Sequence, residues 1–291
     1  SRTPYGRESQ LIGAEWWAKR GYVVVAQDVR GKQDSEGVFN PFMNERKDGY
    51  DTIDWISKQP WCDGNVGMIG ASYVGMVQWQ AAVERHPALK AMVPQVSPPD
   101  AFFNVPYDNG VFFLWGSLWW SNIVRGKSAD MAKVTAGLKD AKKLTTLPLS
   151  KVDDRTLGAN IPWFNRWLKM DRASDFKGFN FQSDMKSVEI PALHISGWWD
   201  GDGIGTKMNW AAMARAGRTN QWLIYGPWTH AFNTSTRMGD VAYGQDAILE
   251  LDSLYLRWFD TWLKGKSVGL EDKQPRVKAF LMGANKWLDL K

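Results

Sequence analysis

Along this chain, short apolar runs of strand length alternate with longer segments in which apolar residues recur every three to four positions. Residues 22–27 form a β-branched apolar run after Gly21 and predict a buried strand. Residues 46–58 place Tyr50, Ile53 and Ile56 near the helical period. Residues 66–70 predict another buried strand, and residues 73–85 a helix that stops before His86-Pro87. Residues 91–96 read as a strand in which Pro94 marks an end or an irregularity. The rhythm then breaks. Residues 97–188 show no clear alternation, only helical stretches such as 129–143 among Pro, Gly and Trp, and read as an inserted helical subdomain. Alternation resumes with a strand at 192–196, a helix at 206–216, a strand at 221–225 and a helix at 246–264. A last strand at 277–282 follows a linker containing Gly265, Gly269 and Pro275. Strands alternating with helices predict the α/β class with a doubly wound, mostly parallel sheet.

Composition narrows the function. No apolar run approaches the length needed to span a bilayer, so membrane insertion is not expected. Cys62 is the single cysteine, which excludes an internal disulfide and a Cys-rich zinc or iron–sulfur site. The net charge of +5 is scattered, with Lys19-Arg20, Arg46-Lys47 and Lys142-Lys143 the adjacent basic pairs, so no basic face for nucleic acid is visible. The 18 tryptophans include Trp16-Trp17, Trp119-Trp120 and Trp198-Trp199. Indoles bury much area, so packing is the plain reading, and an aromatic-walled pocket fits best for the pairs beside candidate chemistry.

The most informative stretch is Val66-Gly-Met-Ile-Gly70-Ala-Ser72-Tyr73-Val74-Gly75. A strand ends, a serine sits in a glycine-flanked turn and a helix begins at once, which is the context of a nucleophile elbow. The second glycine stands one residue late: Val74 occupies its usual place and Gly75 follows. On the residues alone, a serine that merely caps the helix is an equal reading.

A triad on such a fold runs Ser, then Asp or Glu, then His. Of the three histidines, His86 reads as a surface residue at a helix end and His194 as a core residue within a strand. His230 follows the 221–225 strand through Gly226-Pro227-Trp228-Thr229, at the edge where catalytic groups of α/β sheets collect, and is the base by position. The acid should follow the preceding strand, where Asp200 is the first choice and Asp202 the reserve; solvated turn aspartates are the plain alternative for both. The glycines at 201, 203 and 205 lack the spacing of a dinucleotide loop.

Five motifs together resemble the CocE/NonD hydrolases, a peptidase S15-like family that includes cocaine esterase-like, α-amino-acid ester hydrolase-like and glutaryl-7-aminocephalosporanic-acid acylase-like members. They are Arg2-Thr-Pro-Tyr5-Gly-Arg7, Gln27-Asp-Val-Arg-Gly31 with Ser35-Glu-Gly37, the stretch from Gln59-Pro-Trp61 to Gly75, Gly197-Trp-Trp-Asp200, and Gly226-Pro-Trp-Thr-His230. The resemblance implies an α/β-hydrolase fold and a Ser72–Asp200–His230 triad. It also implies an oxyanion hole formed by the Tyr73 backbone N–H and the Tyr5 hydroxyl; beside Pro4, Tyr5 would otherwise read as a turn residue. It implies cleavage of a small-molecule ester or amide through an acyl-enzyme, with no metal or cofactor. Residues 1–96 and 189–270 would form the catalytic domain and 97–188 a helical cap. Residues 271–291 would form a linker and the first strand of a C-terminal jelly-roll domain. Against that pattern the sequence reads as truncated at both ends. Phe112, Phe113, Trp115, Trp119 and Trp120 of the cap, with Trp198 and Trp199, are candidates for a substrate pocket, and each taken singly reads as packing. An α-amino requirement would call on acidic residues such as Asp100, Asp108, Asp153 and Asp154. X-Pro dipeptidyl-peptidase activity, a carbohydrate esterase or sugar binder, and a non-catalytic protein of the same fold are the competing readings. A homo-oligomer is compatible with the sequence.

Overall fold

The computed structural model describes residues 1–133, 138–270 and 274–290. Its strands are β1 (Arg2–Thr3), β2 (Gln27–Asp28), β3 (Val66–Ala71), β4 (Leu89–Gln95), β5 (Ala192–Gly197), β6 (Gln221–Gly226), β7 (Val277–Leu281) and β8 (Lys286–Leu290), besides two small hairpins at 107–112 and 237–242. The longer helices are α1 (Glu45–Ser57), α2 (Tyr73–Ala82), α3 (Leu114–Val124), α4 (Gly203–Arg215) and α5 (Asp252–Lys264). The strand–helix alternation thus stands as predicted, with boundaries moved by a few residues.

Six strands form one sheet in the order β8–β7–β6–β5–β4–β3, parallel throughout except for the antiparallel β7–β8 pair. Pro94 lies inside β4, opposite Gly70 of β3. Met92 and Val96 donate to Pro191 and Ile195 along the other side of β4. Pro94, midway between them, has no N–H to give, so the β4–β5 ladder skips a rung there. Val277–Leu281, read from sequence as the opening strand of a β domain, pairs in parallel with β6 and antiparallel with β8. Its burial is shallow and only Phe280 is fully enclosed. Residues 271–273 and 291 of that predicted segment lie outside the described residues.

The chain divides into two units, residues 1–45 with 100–180, and residues 46–99 with 181–291. The second holds the whole six-stranded sheet. Every residue of α2 is buried, in keeping with a sequence that is apolar all round except at Gln78 and Gln80. Helix α5 lays Trp258 edge-on against Trp222 of β6 at 5.2 Å. It also sets Phe259 against β3, where a Cβ on Gly67 would stand 2.5 Å from the ring.

The first unit is built from short helices, including Val152–Leu157 and Pro162–Trp167, around an aromatic core. Phe42 stacks on Trp120 at 5.5 Å and meets Phe179 at 4.4 Å. The Trp163 indole donates to Ser121 Oγ at 2.9 Å, so the bulky ring is buried without orphaning its N–H. Two expectations change in this unit. The run at 22–27 becomes a strand only at its end: β2 lies parallel to β1 over two residues, and Val23 is 61% exposed. Extended propensity alone makes no ladder; a strand is buried only where a partner covers it. The helix expected at 129–143 is a 3-10 turn at Met131–Lys133 and a short helix at Ala141–Thr145, and residues 134–137 lie outside the described ones.

Candidate functional site

Ser72 occupies the turn between β3 and α2 with φ 62° and ψ −125°. A non-glycine residue with positive φ is strained and is held only where its surroundings over-determine it. Three contacts do so. The Ser72 N–H donates to Gln95 O at 2.9 Å. Gly70, at φ 155°, leaves room for Val74: a Cβ on Gly70 would stand 2.1 Å from Val74 Cγ1. Gly75 lets the helix approach β4, since its Cβ would lie 2.6 Å from Gln95 O. The displaced second glycine is thereby explained. Val74 fills the space above Gly70, and Gly75 provides the close approach.

A residue that sequence reasoning missed braces this elbow. Gln78 is fully buried, and its amide nitrogen lies 3.1 Å from Gly70 O, 3.0 Å from Val74 O and 3.2 Å from Val93 O. Two glutamines, Gln78 and Gln80, in an otherwise apolar buried helix were the available signal. Replacing Gln78 by Met keeps the volume and removes the brace. We expect a loss of about 1–3 kcal/mol in urea unfolding, from carbonyls left unsatisfied in the interior. Unchanged stability would mean that the brace contributes nothing.

Ser72 stands at the N-cap position of α2, yet its hydroxyl makes no capping bond. The reading of a mere capping serine therefore fails on geometry.

Asp200 and His230 extend from the carboxyl ends of the adjacent strands β5 and β6. The loops after these strands are fastened together. Trp198 N–H donates to Gly226 O and Trp199 N–H to Trp228 O, both at 2.9 Å. A Cβ on Gly197 would lie 2.2 Å from Trp228 O, so only glycine permits this approach. Asp200, with a fully buried carboxylate, accepts the His230 Nδ1–H at 2.7 Å through Oδ1. The same oxygen accepts Asp202 N–H at 3.1 Å, and Oδ2 accepts Ser196 Oγ–H at 2.6 Å. Ser196 is itself hydrogen-bonded to the Tyr225 phenol, whose pKa is pushed up, first by burial and then by the charge of Asp200. With Nδ1 as donor, the lone pair of the imidazole is on Nε2, the tautomer a general base needs. Partial burial opposes protonation of His230, but the Asp200 bond and the charges of Asp202 and Asp200 outweigh it and raise the imidazole to about 8.

The other two histidines divide. His194 is a core residue as expected, its Nε2 3.0 Å from Gln221 Oε1 and its pKa lowered to about 4 by burial. His86, expected at the surface, is buried. Its Nδ1 accepts Ala88 N–H at 3.1 Å, and the Tyr50 ring of α1 packs edge-on at 4.7 Å. The packing of α1 over the His-Pro turn covers it.

The aromatic candidates fall into both units. Trp198 and Trp199, which precede Asp200, are 43% and 45% exposed and anchored by their ring N–H groups to Phe280 O at 2.9 Å and Tyr243 Oη at 2.8 Å. In the other unit, Trp120 is a core residue and Phe112 packs edge-on to Phe164 at 5.6 Å. Trp115 and Trp119 stack at 6.0 Å, and Phe113 is 44% exposed. Tyr5 belongs to this unit; its oxygen accepts the Trp120 indole N–H at 2.9 Å, a bond that does not use the phenol proton. Tyr73 opens α2 and is buried. Of the acidic candidates, Asp100 and Asp153 are buried. Asp153 accepts Ile161 N–H at 2.7 Å and Asn165 Nδ2 at 2.8 Å, a structural role, whereas Asp108 and Asp154 are exposed. No group of three or more His, Cys, Asp or Glu residues suited to a metal ion occurs among the described residues.

Comparison with known proteins agrees with this architecture. The chain is 32% identical over 292 residues to cocaine esterase of Rhodococcus sp. (strain MB1 Bresler), covering 94% of this chain and 50% of that protein. It is 24% identical to a putative serine esterase of Mycobacterium bovis, covering 97% of this chain and 51% of the relative. The chain therefore spans about half the length of the curated relatives it matches. Among solved structures, an α-amino acid ester hydrolase superposes with a TM-score of 0.80 at 26% identity, covering 99% of this chain and 53% of that one. An aminopeptidase from a marine-sediment Thaumarchaeota archaeon gives 0.79 at 23% identity, with coverage of 99% and 53%, and shares the fold. The sequence model of the X-Pro dipeptidyl-peptidase (S15) family matches residues 1–232 of the 291. With its mostly parallel sheet, this chain belongs to the S15 family, within the CocE/NonD group of α/β hydrolases.

Proposed function

We propose that the chain carries the catalytic centre of a serine hydrolase that cleaves an ester or amide acyl bond through an acyl-enzyme, as an esterase or acylase. The observation that carries this reading is the 2.7 Å Asp200–His230 bond, on loops fastened to each other, in a sheet whose β3 ends in a strained serine with an uncommitted capping role. The names of the cocaine esterase and α-amino acid ester hydrolase relatives support the ester class.

In this mechanism His230 Nε2 takes the Ser72 proton as Oγ attacks the carbonyl carbon. Asp200 holds the imidazolium that forms. The N–H of Tyr73, first in α2, faces developing negative charge at a helix N-terminus. The Tyr5 hydroxyl is assigned as the second oxyanion donor on the motif resemblance. His230 then protonates the leaving alcohol or amine, and water, deprotonated by the same imidazole, releases the acid. Trp198 and Trp199, rigid and half exposed beside Asp200, are the aromatic surfaces that an acyl or leaving group would meet in this unit.

Hydrolysis of p-nitrophenyl butyrate tests the reading. His230 must be neutral to accept the proton. Its raised value means that kcat/KM climbs as pH rises through about 8 and then levels. Tyr5→Phe should lower kcat roughly 10²–10³-fold. Because it also removes the oxygen that accepts the Trp120 indole N–H, a loss of about 1–3 kcal/mol in unfolding is expected beside it. A pH-independent rate, or full activity in the Phe variant, would remove His230 or Tyr5 from these roles.

A further inference from the structure

Asp202 stands where an aspartate ordinarily caps a helix. It is the N-cap residue of α4, and its backbone carbonyl accepts Gly205 N–H at 2.9 Å, yet its side chain makes no capping bond. An N-cap carboxylate normally accepts a first-turn N–H. This one points elsewhere: Oδ2 lies 3.8 Å from His230 Nδ1, and the carboxyl is 16% exposed. Its own backbone N–H meanwhile fixes Asp200 Oδ1 at 3.1 Å. One residue therefore holds the orienting acid by its backbone and faces the imidazole with its side chain.

We propose that Asp202 is a second positioning carboxylate, which with Asp200 brackets the Nδ1 edge of His230 and shares the charge of the imidazolium. The proposal rests on the reading of His230 as the base. Asp200 supplies the hydrogen bond and the tautomer. Asp202, too far for a good hydrogen bond, supplies charge. Among the described residues, the charges that act on the imidazole are those of Asp202 and Asp200. Tyr225 of β6 bonds Ser196, and Lys207 of α4 stands 5.3 Å over the Tyr225 ring. Burial raises the pKa of Asp202, His230 pulls it down and the charge of Asp200 adds to the rise.

This role has a signature that a helix cap lacks. Removing the charge makes His230 easier to deprotonate, so the base becomes competent at lower pH. It also leaves the imidazolium less supported, so the plateau rate falls. The two pH profiles should differ by an acid shift and a lower ceiling together.

The test is a titration of the imidazole nitrogens by ¹⁵N NMR in the chain and in Asp202→Asn. Only three histidines are present, so the signals resolve; His230→Gln assigns the relevant one, and buried His194 reports that the fold is intact. The expected result is a His230 midpoint near 8 in the parent. It should fall by about one pH unit in Asp202→Asn, a modest charge effect at this separation. Asp202→Ser, neutral and a favoured capping residue, should give the same fall even if the Asn variant folds poorly. A His230 midpoint unmoved in a folded neutral variant would overturn the proposal. The NMR readout needs no turnover. Were the ester hydrolysis reading to fail, kcat/KM would vanish while the titration still decided the role of Asp202.

Discussion

Ser72→Ala is expected to lower kcat for p-nitrophenyl esters by roughly a million-fold, the scale on which removal of a triad nucleophile acts. The same variant should keep its stability to within about 0.5 kcal/mol. The hydroxyl makes no capping bond to α2, and Ala and Ser meet the same backbone strain at φ 62°. The two readings of this residue therefore separate in one pair of measurements. A capping serine would cost about 1 kcal/mol in unfolding and leave turnover intact. A nucleophile leaves unfolding intact and abolishes turnover.

The second large effect is Asp200→Asn, expected to cost roughly 10⁴-fold in kcat through the tautomer of His230. The lost carboxylate charge leaves the imidazolium unsupported, and the tautomer turns on which way the new amide faces. Asp202 N–H and Ser196 Oγ–H both donate to the carboxylate, as does His230 Nδ1–H. An amide offers one acceptor oxygen in place of two, and its NH₂ must then face either Ser196, which already bonds the Tyr225 phenol, or the imidazole. In the second case His230 carries its proton on Nε2 and cannot accept one from Ser72. Activity within tenfold of the parent, in a variant whose unfolding is unchanged, would show that Asp200 does not orient the base.

The sequence already contains the outline of this site because the chemistry is bound to local backbone shape. A strand, a small-residue turn and a helix are written in consecutive residues from Val66 to Gly75, and His230 and Asp200 each follow a strand whose apolar run is plain. What it did not contain depends on tertiary contact. Nothing near His86 announces that α1 covers it with Tyr50. The pairing of β7 with β6 is invisible because the strand's own residues are only half buried. The 22–27 run has strong β propensity, but whether it is a strand is decided by which segment lies beside it. Gln78, Ser196 and Asp202 act through the direction of a side chain, which spacing alone does not give.

The most direct test of the central claim is intact-mass analysis of the chain after exposure to a fluorophosphonate, followed by peptide mapping. The account predicts a single phosphonyl adduct on the peptide containing Ser72, absent in Ser72→Ala and strongly slowed in His230→Gln. A folded chain that takes up no adduct, or an adduct that persists in Ser72→Ala, would contradict it.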